Sequence, residues 1–387
     1  MARNDVKNNS TLLQFACAIV FILFVFIYLY FFQSDLLFML QHVLSGGATR
    51  YDRTVGAVLI TLVLYLLQIG VNKITRFGGG LHALTYVPSL SLLLMLTGVD
   101  TDFVSGPLSV TRLVLALLFI VTFVLFAVIY GVNHKNCSVD ASGSSSEVEQ
   151  LWKNLLTLSL MFIVVCLCGN TDRVFHYRLR MERFLCSGNY AEALEVGEKS
   201  DDADSSLTML RVYALSRSKQ LGDRLFEYPL AGGSDALLPD DQNVRCLFFP
   251  ESNIFRNLSI RKKGVMSSMQ YLLYIEENGL AMKSVTDYIL CGYLLDRDID
   301  SFVRFIKGKY VLSSPALPKH YKEALTLYTH LRANPILVFH NEVMDADYSD
   351  FQKLEKEYGN ELERMSQVRD VYGDTYWFYY FYGEDKK

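Results

Sequence analysis

The first thing this 387-residue sequence lacks is charge over long stretches. Residues 11–169 hold apolar runs almost free of Asp, Glu, Lys and Arg, whereas residues 170–387 carry most of the charged side chains. That asymmetry separates a membrane portion, 1–169, from a water-soluble one, 170–387. The chain also lacks an excess of positive charge. Its 37 Lys and Arg against 41 Asp and Glu leave a net charge of −4, so no nucleic-acid partner is expected. Its seven cysteines form no framework. Cys17, Cys166 and Cys168 lie inside apolar runs, Cys137 lies in a polar loop, and Cys186, Cys246 and Cys291 are widely spaced. No Cys-x-x-Cys or Cys/His spacing points to zinc or redox chemistry, and all seven read as small hydrophobes. Gly-x-Ser-x-Gly, His-Glu-x-x-His and phosphate-binding loops are missing as well. No cofactor or metal is therefore expected, and no motif assigns a catalytic residue.

What is present begins with five runs long enough to cross a bilayer, which needs about 20 mainly apolar residues. They are 12–32, 55–71, 81–99, 108–132 and 151–169. The first is too long for a signal-peptide core and no small-residue cleavage site follows it, so it is expected to stay as an anchor. Asp35–Leu44 is too short to cross and reads as an interfacial segment. Gln68 and scattered Ser and Thr are the most polar groups within the runs, and ion paths need ionisable groups near the bilayer centre. The spans therefore read as an anchor or a helper subunit. Lys and Arg flanking the runs orient the chain. Arg3, Lys7, Lys73, Arg76 and Lys135 favour a cytoplasmic N-terminus, opposed by Arg50 and Arg53 after span one and by Arg173, Arg178, Arg180 and Arg183 after span five. Five crossings then put the C-terminal half outside the cytoplasm, in a multi-pass protein of a bacterial inner membrane.

Beyond residue 170 no sustained alternating pattern marks strands, and the sequence reads as short helices joined by turns. In RLRMERFLCSGNYAEALEVGEKS (178–200) a helix ends at Gly188-Asn189 and a second starts at Tyr190, with Ala193 and Leu194 facing back. This resembles the turn and second helix of a tetratricopeptide (TPR) repeat. Gly188 takes the turn, Tyr190 fills the gap beside it, and Ala193 permits close helix contact. KEALTLYTHLRANP (322–335) is a second partial match, through Ala324, Leu325, Tyr328 and Pro335. Gly197 stands where that repeat has a large side chain, and no clean 34-residue period links the two matches. Further helices are expected at 205–219, 222–228, 265–278 (closed by Gly279), 282–295, 299–306 and 350–358 (capped by Ser349), with a long loop at 232–252. The fold class is thus all-α, a bundle of about five transmembrane helices followed by a degenerate TPR-like α-solenoid. Apolar runs followed by GNYAEALEVGEKS, GDRLFEYPLAGGSDALLP and LPKHYKEALTLYTHLRANP resemble an uncharacterised family of Bacteroidetes-type multi-span membrane proteins with TPR-like tails. The similarity extends over the whole chain, and it implies no activity or catalytic residue.

Asp345, Asp347 and Asp350 lie near Glu342 and His340, without the glycine and spacing of a calcium loop, and read as an acidic helix-capping turn. His320 and His330 are ten apart, so they share no helix face. Arg50, Asp52, Arg53, Asp100, Asp102 and Arg112 fall at one membrane surface if the N-terminus is inside, where a lipid-linked glycan or phosphate substrate could meet them. Helix-end anchoring explains them equally. The leading expectation is a non-enzymatic membrane protein whose helical domain binds another envelope protein or peptide, with the lipid bilayer as its other partner. The alternative is a membrane enzyme or transport accessory using those loop charges. Seven consecutive aromatics, Tyr376–Tyr382, end the chain. They are expected to form a last helix capped by Asp374, with Trp377 and Phe381 inward and the four tyrosines outward or sideways.

Overall fold

The uncharged N-terminal run folds as one long helix with two apolar faces. Helix α1 (Ala2–Ile27) passes into a π-helical segment, Tyr28–Phe32, and stops at Gln33. The computed structural model describes residues 2–75, 77, 79–98, 121, 124, 147–240, 243–259 and 266–383. Among them all regular secondary structure is helical, with no strand and one isolated bridge, Lys307–Tyr310. The chain divides into two compact units, Met1–His176 and Tyr177–Lys387.

In the first unit, α2 (Ser34–Leu44) follows the break at Gln33, and α3 (Arg53–Thr75), α4 (Val87–Thr97) and α5 (Glu147–Cys168) complete the described helices. Leu12–Phe32, Arg53–Thr75 and Val148–Cys168 are long and apolar enough to cross a membrane. On α3 and α5 mid-helix polar side chains lie on the inner face among apolar ones, while large aliphatic side chains cover the outside. On α3, Ala57, Thr61, Leu64 and Gln68 are buried, while Val55, Val58, Leu59, Leu62, Val63 and Leu66 are exposed. On α5, Asn154 and Leu158 face in, and Leu156, Leu160, Ile163 and Leu167 face out. Gln68 and Asn154 thus find partners inside, and much aliphatic surface is left outside.

The run 81–99 differs from the single span expected of it. It is a 3₁₀ segment, Gly79–Tyr86, followed by the 11-residue α4. Pro88 lies in the first turn of α4. Proline lacks an N–H and disfavours α geometry in the residue before it, so a helix can start there but not run through. The eleven residues of α4 alone give about 17 Å, short of the roughly 30 Å hydrocarbon core, so the run can reach crossing length only together with its 3₁₀ segment, at about 2.0 Å per residue. The expected span 108–132, apart from Val121 and Val124, lies outside the described residues, as do Cys137 and residues 140–146 of the Ser-rich loop.

The second unit is a series of helical hairpins. Helix α6 (Arg173–Ser187) turns at Gly188 into α7 (Tyr190–Glu195), and α8 (Ser205–Arg217) turns into the short α9 (Leu221–Arg224). Gly188 has φ +75, where a side chain would be strained. Asp204 caps α8 by accepting from the Leu207 N–H at 2.6 Å. Ser206 through Leu215 are all buried, which makes α8 the central rod of this half. Then come α10 (Glu251–Leu258), α11 (Ser268–Glu277), α12 (Lys283–Leu295), α13 (Ile299–Ile306), α14 (Lys319–Leu331), α15 (Glu342–Glu357), α16 (Glu361–Tyr372) and α17 (Tyr376–Tyr382). Ser267 and Gln270 form a reciprocal capping box on α11. Gly279 (φ +66) closes α11, its N–H donating to the Glu276 carbonyl and that of Leu280 to Ile275, the expected C-terminal arrangement.

Several local expectations are corrected. The stretch 232–252 is largely irregular before Glu251, as expected of a long loop, but it is not solvated. It carries a 3₁₀ turn, Gly233–Leu237, and buries Leu237, Leu238, Val244, Leu247 and Phe249. Helix α15 starts eight residues earlier than expected and is capped by Asn341, which accepts from the Met344 N–H at 3.1 Å. Ser349 is therefore mid-helix, and Asp345, Asp347 and Asp350 lie on α15, with Glu342 and Asp345 in its first turn. Acidic side chains there favour the positive end of the helix dipole. Helix α17 is capped by Thr375 (to the Phe378 N–H, 3.2 Å), and Asp374 instead pairs with Lys319 at 2.8 Å. Tyr376, expected outside, is fully buried beside Trp377, whereas Phe381, expected inside, is 41% exposed.

Helix α14 packs against α9, α13, α15 and α17, and α9 also meets α12. The second hairpin therefore touches two later ones, more than the nearest-neighbour contacts of a regular solenoid.

Candidate functional site

The loop charges singled out in the sequence have local structural partners. Asp52 Oδ1 accepts from the Thr54 and Val55 N–H groups at 2.9 and 2.8 Å, capping α3. The Arg53 guanidinium lies 4.1 Å from the Tyr30 ring centroid and 5.5 Å from that of Phe31, and its Nε donates to the Tyr30 carbonyl at 2.5 Å. Arginine suits this place because it can stack and donate at once. Arg50 is exposed. Asp100, Asp102 and Arg112 lie outside the described residues.

A different polar constellation lies inside the first unit, where the helix is broken. Asn154 Oδ1 on α5 accepts from the Ala83 N–H at 2.6 Å, while its Nδ2 donates to the Gln150 carbonyl at 2.8 Å. Gln68 Nε2 on α3 donates to Thr85 Oγ1 at 2.9 Å, and Thr85 Oγ1 donates to the His82 carbonyl at 2.8 Å. Ser89 Oγ on α4 donates to the Leu64 carbonyl at 2.8 Å. Asn154 and Thr85 thereby satisfy backbone groups of the 3₁₀ segment, and Gln68 and Ser89 tie the segment and α4 to α3. His82 is 3% exposed and meets Tyr86 edge-on, with ring centroids 5.7 Å apart. Sequence reading missed His82 because it is the second residue of an apolar run, where a polar group looks like a helix end. Only Gln68 signalled the site.

In the second unit, Ala193 and Leu194 are buried on α7, against α8. Tyr190 is half-buried, its hydroxyl accepting from Arg217 Nε at 3.2 Å and its ring edge-on to Tyr213. Gly197 has φ +65, and a Cβ there would stand about 3.0 Å from the Tyr177 ring, so glycine is what this corner admits. Ala324, Leu325 and Tyr328 are buried on α14, the Tyr328 hydroxyl accepting from the Ile336 N–H at 3.1 Å, and Pro335 is half-buried in the following turn. Replacing Ala193 with Phe is expected to destabilise the unit by about 1–3 kcal/mol through overpacking. A thermal melt unchanged from wild type would show that α7 does not need the small residue.

Beside α7 a cleft of about 370 Å³ opens, lined by Leu194, Glu195, Glu198, Ser218, Gln220 and Arg224 among others. Arg224 bridges Glu198 (3.2 Å) and Glu227 (2.7 Å), fixing one wall. Deeper in the unit, Glu182 is fully buried on α6 and accepts from the N–H groups of Leu247, Phe248 and Phe249 at 2.7, 2.7 and 2.8 Å. Burial pushes its carboxyl up, opposed by these three bonds and by Arg178. Arg211 is also fully buried, donating to the carbonyls of Pro229 and Gly197 at 2.6 and 3.2 Å, and burial lowers its guanidinium to about 10.

A third buried hub joins the last helices. Glu323 Oε2 accepts from the Tyr376 N–H at 2.7 Å and meets His320 Nδ1 at 2.9 Å, and the Glu323 carbonyl accepts from Trp377 Nε1 at 2.8 Å. The Phe226 N–H donates to His320 Nε2 at 3.3 Å, so the ring proton lies on Nδ1, facing Glu323. His320 is thus a core histidine. His330 and His340 both approach Asp345, at 3.9 and 3.5 Å. Among the described residues, no three His, Cys, Asp or Glu side chains converge as a metal site needs. The described cysteines are all free. Cys17, Cys246 and Cys291 are buried, but Cys166 and Cys168 are exposed on α5, against the expectation of burial.

A family of unknown function (DUF6057) matches residues 257–383, under half of the chain. That stretch holds α11 to α17 with the Glu323 hub and the aromatic helix. No curated protein and no solved structure matches the chain.

Proposed function

We propose that this chain is an integral membrane protein whose second unit, a TPR-like set of helical hairpins, binds another protein or peptide of the bacterial envelope. Membrane insertion is supported by the sorting on α3 and α5, mid-helix polar side chains inward and large aliphatic ones outward. In each of the three membrane-length helices only 22–33% of the apolar window is buried within the protein, and water would not tolerate so much uncovered apolar surface. The runs 81–99 and 108–132 would bring the crossings from three to five. Either odd number, with a cytoplasmic N-terminus, leaves the C-terminus on the extracytoplasmic side.

The observation that carries the binding role is the cleft beside α7. It lies between α7 and α9 and the turns that follow α7 and α8, and its polar wall is held by the Glu198–Arg224–Glu227 bridge. Photo-crosslinking in intact membranes tests it. A benzophenone amino acid at Glu195 or Ser218 should capture one discrete partner, and the same group at Lys353 on α15 should not. Equal capture from all three positions, or none from the cleft, would remove the reading. The alternative, a transport accessory or an enzyme acting on a lipid-linked glycan or phosphate, draws support from the polar break in the first unit rather than from the loop charges.

A further inference from the structure

The break between α3 and α4 is the least expected feature of the first unit. Its 3₁₀ segment packs against α1, α3, α4 and α5, so it is enclosed by protein. Two of its polar atoms remain unsatisfied there. His82 Nε2 and the Tyr86 hydroxyl are buried and have no hydrogen-bond partner among the described residues, and Tyr86 is 0% and His82 3% exposed. A buried polar group left unpaired costs about 1–3 kcal/mol, a cost that an ordered water with two neighbouring polar partners removes. Irregular backbone at membrane depth is tolerated where it is enclosed by protein or lines a water-filled cavity.

We propose that this break is a hydrated site within the membrane unit, where water or a water-sized neutral ligand completes His82 Nε2 and the Tyr86 hydroxyl. The reading rests on the membrane placement proposed above. The neutral character of the ligand follows from the lining. The titratable groups facing Tyr86 are His82 on its own element, Cys17 from α1 and Tyr65 from α3. Gln68, Ser89 and Asn154 contribute hydroxyl and amide dipoles from α3, α4 and α5. No carboxylate or ammonium group among the described residues pairs with His82, so nothing in the lining selects an ion. The site lies toward one end of these helices. Gln68 lies seven residues before the end of α3 and Asn154 seven after the start of α5.

The protein supplies its own controls. Full-length protein in lipid nanodiscs is incubated in D₂O, and exchange of each histidine's imidazole C2–H, which needs only water to reach the ring, is read by mass spectrometry. His340 is exposed and marks full access, whereas His320, with 0% exposure and both ring nitrogens engaged, marks a sealed position. His82 is expected to exchange measurably faster than His320. Protection of His82 to the level of His320 overturns the proposal. Only protein retained in membranes after an alkaline carbonate wash is assayed. Loss of the protein at that wash would overturn the membrane reading instead, so the two failures are separable.

Discussion

Replacing Trp377 with Ala is expected to lower the stability of the second unit by about 3–5 kcal/mol, the range for deleting a buried large aromatic. Trp377 is 1% exposed. Its ring lies 5.1 Å from Tyr348, 5.9 Å from Phe351 and 6.3 Å from Tyr372, counted between centroids. It therefore ties α15, α16 and α17 together. Its Nε1–H also satisfies the Glu323 carbonyl on α14. The variant would leave a cavity at the meeting point of four helices. Phe381→Ala, at a site 41% exposed, should cost well under half as much, because much of that ring is already in water. Chemical unfolding of both variants decides between this arrangement and one in which the aromatic run lies in the membrane. Equal, small losses would mean that Trp377 does not anchor the helix.

Glu182→Gln is expected to destabilise the same unit by about 1–3 kcal/mol, the cost of leaving a buried backbone donor without its acceptor. The carboxylate offers two acceptor oxygens to three backbone donors, with Oε1 serving Leu247 and Oε2 serving Phe248 and Phe249. Glutamine keeps one acceptor and turns an NH₂ group toward the remaining donors. The segment those donors hold, 244–249, carries the buried Val244, Leu247 and Phe249, so its release would open the core beside α6. The pH dependence has a definite sign. Burial raises the Glu182 carboxyl above its ordinary value of 4.5, so the folded state holds this proton more tightly than the unfolded state does. The resulting stability is fully present below the unfolded value and is lost as pH rises through the folded one. Unfolding midpoints measured upward from about pH 4 should fall for wild type over that window, and Glu182→Gln should lack that component. A wild-type midpoint that rises over the same window would contradict the assignment.

Local chemistry carried much of the architecture. The apolar runs at 12–32, 55–71 and 151–169 are legible because crossing length and the absence of charge are properties of a continuous segment. The turns at Gly188 and Gly279 are legible because positive φ selects glycine. The helix at 299–306 could be delimited for the same kind of reason, its polar starts and apolar stripe being contained in a dozen residues. Where the reading slipped by a few residues, two caps competed and the neighbours decided. Asp374 could have capped the last helix, but Lys319, 55 residues earlier, pairs with it, and Thr375 serves instead.

Tertiary structure alone decided what depends on residues far apart in the chain. Nothing near Glu182 announces that its partners are the N–H groups of 247–249. Nothing near Tyr376 shows that its N–H meets Glu323. The aromatic run is too uniform for its own pattern to choose an inward face, so the positions of Glu323, Tyr348 and Phe351 put Tyr376 and Trp377 inside and left Phe381 half in water. The run 81–99 is apolar enough to read as a span. Its break at Pro88 is held from two other helices, by Asn154 accepting from the Ala83 N–H and by Gln68 donating to the Thr85 hydroxyl.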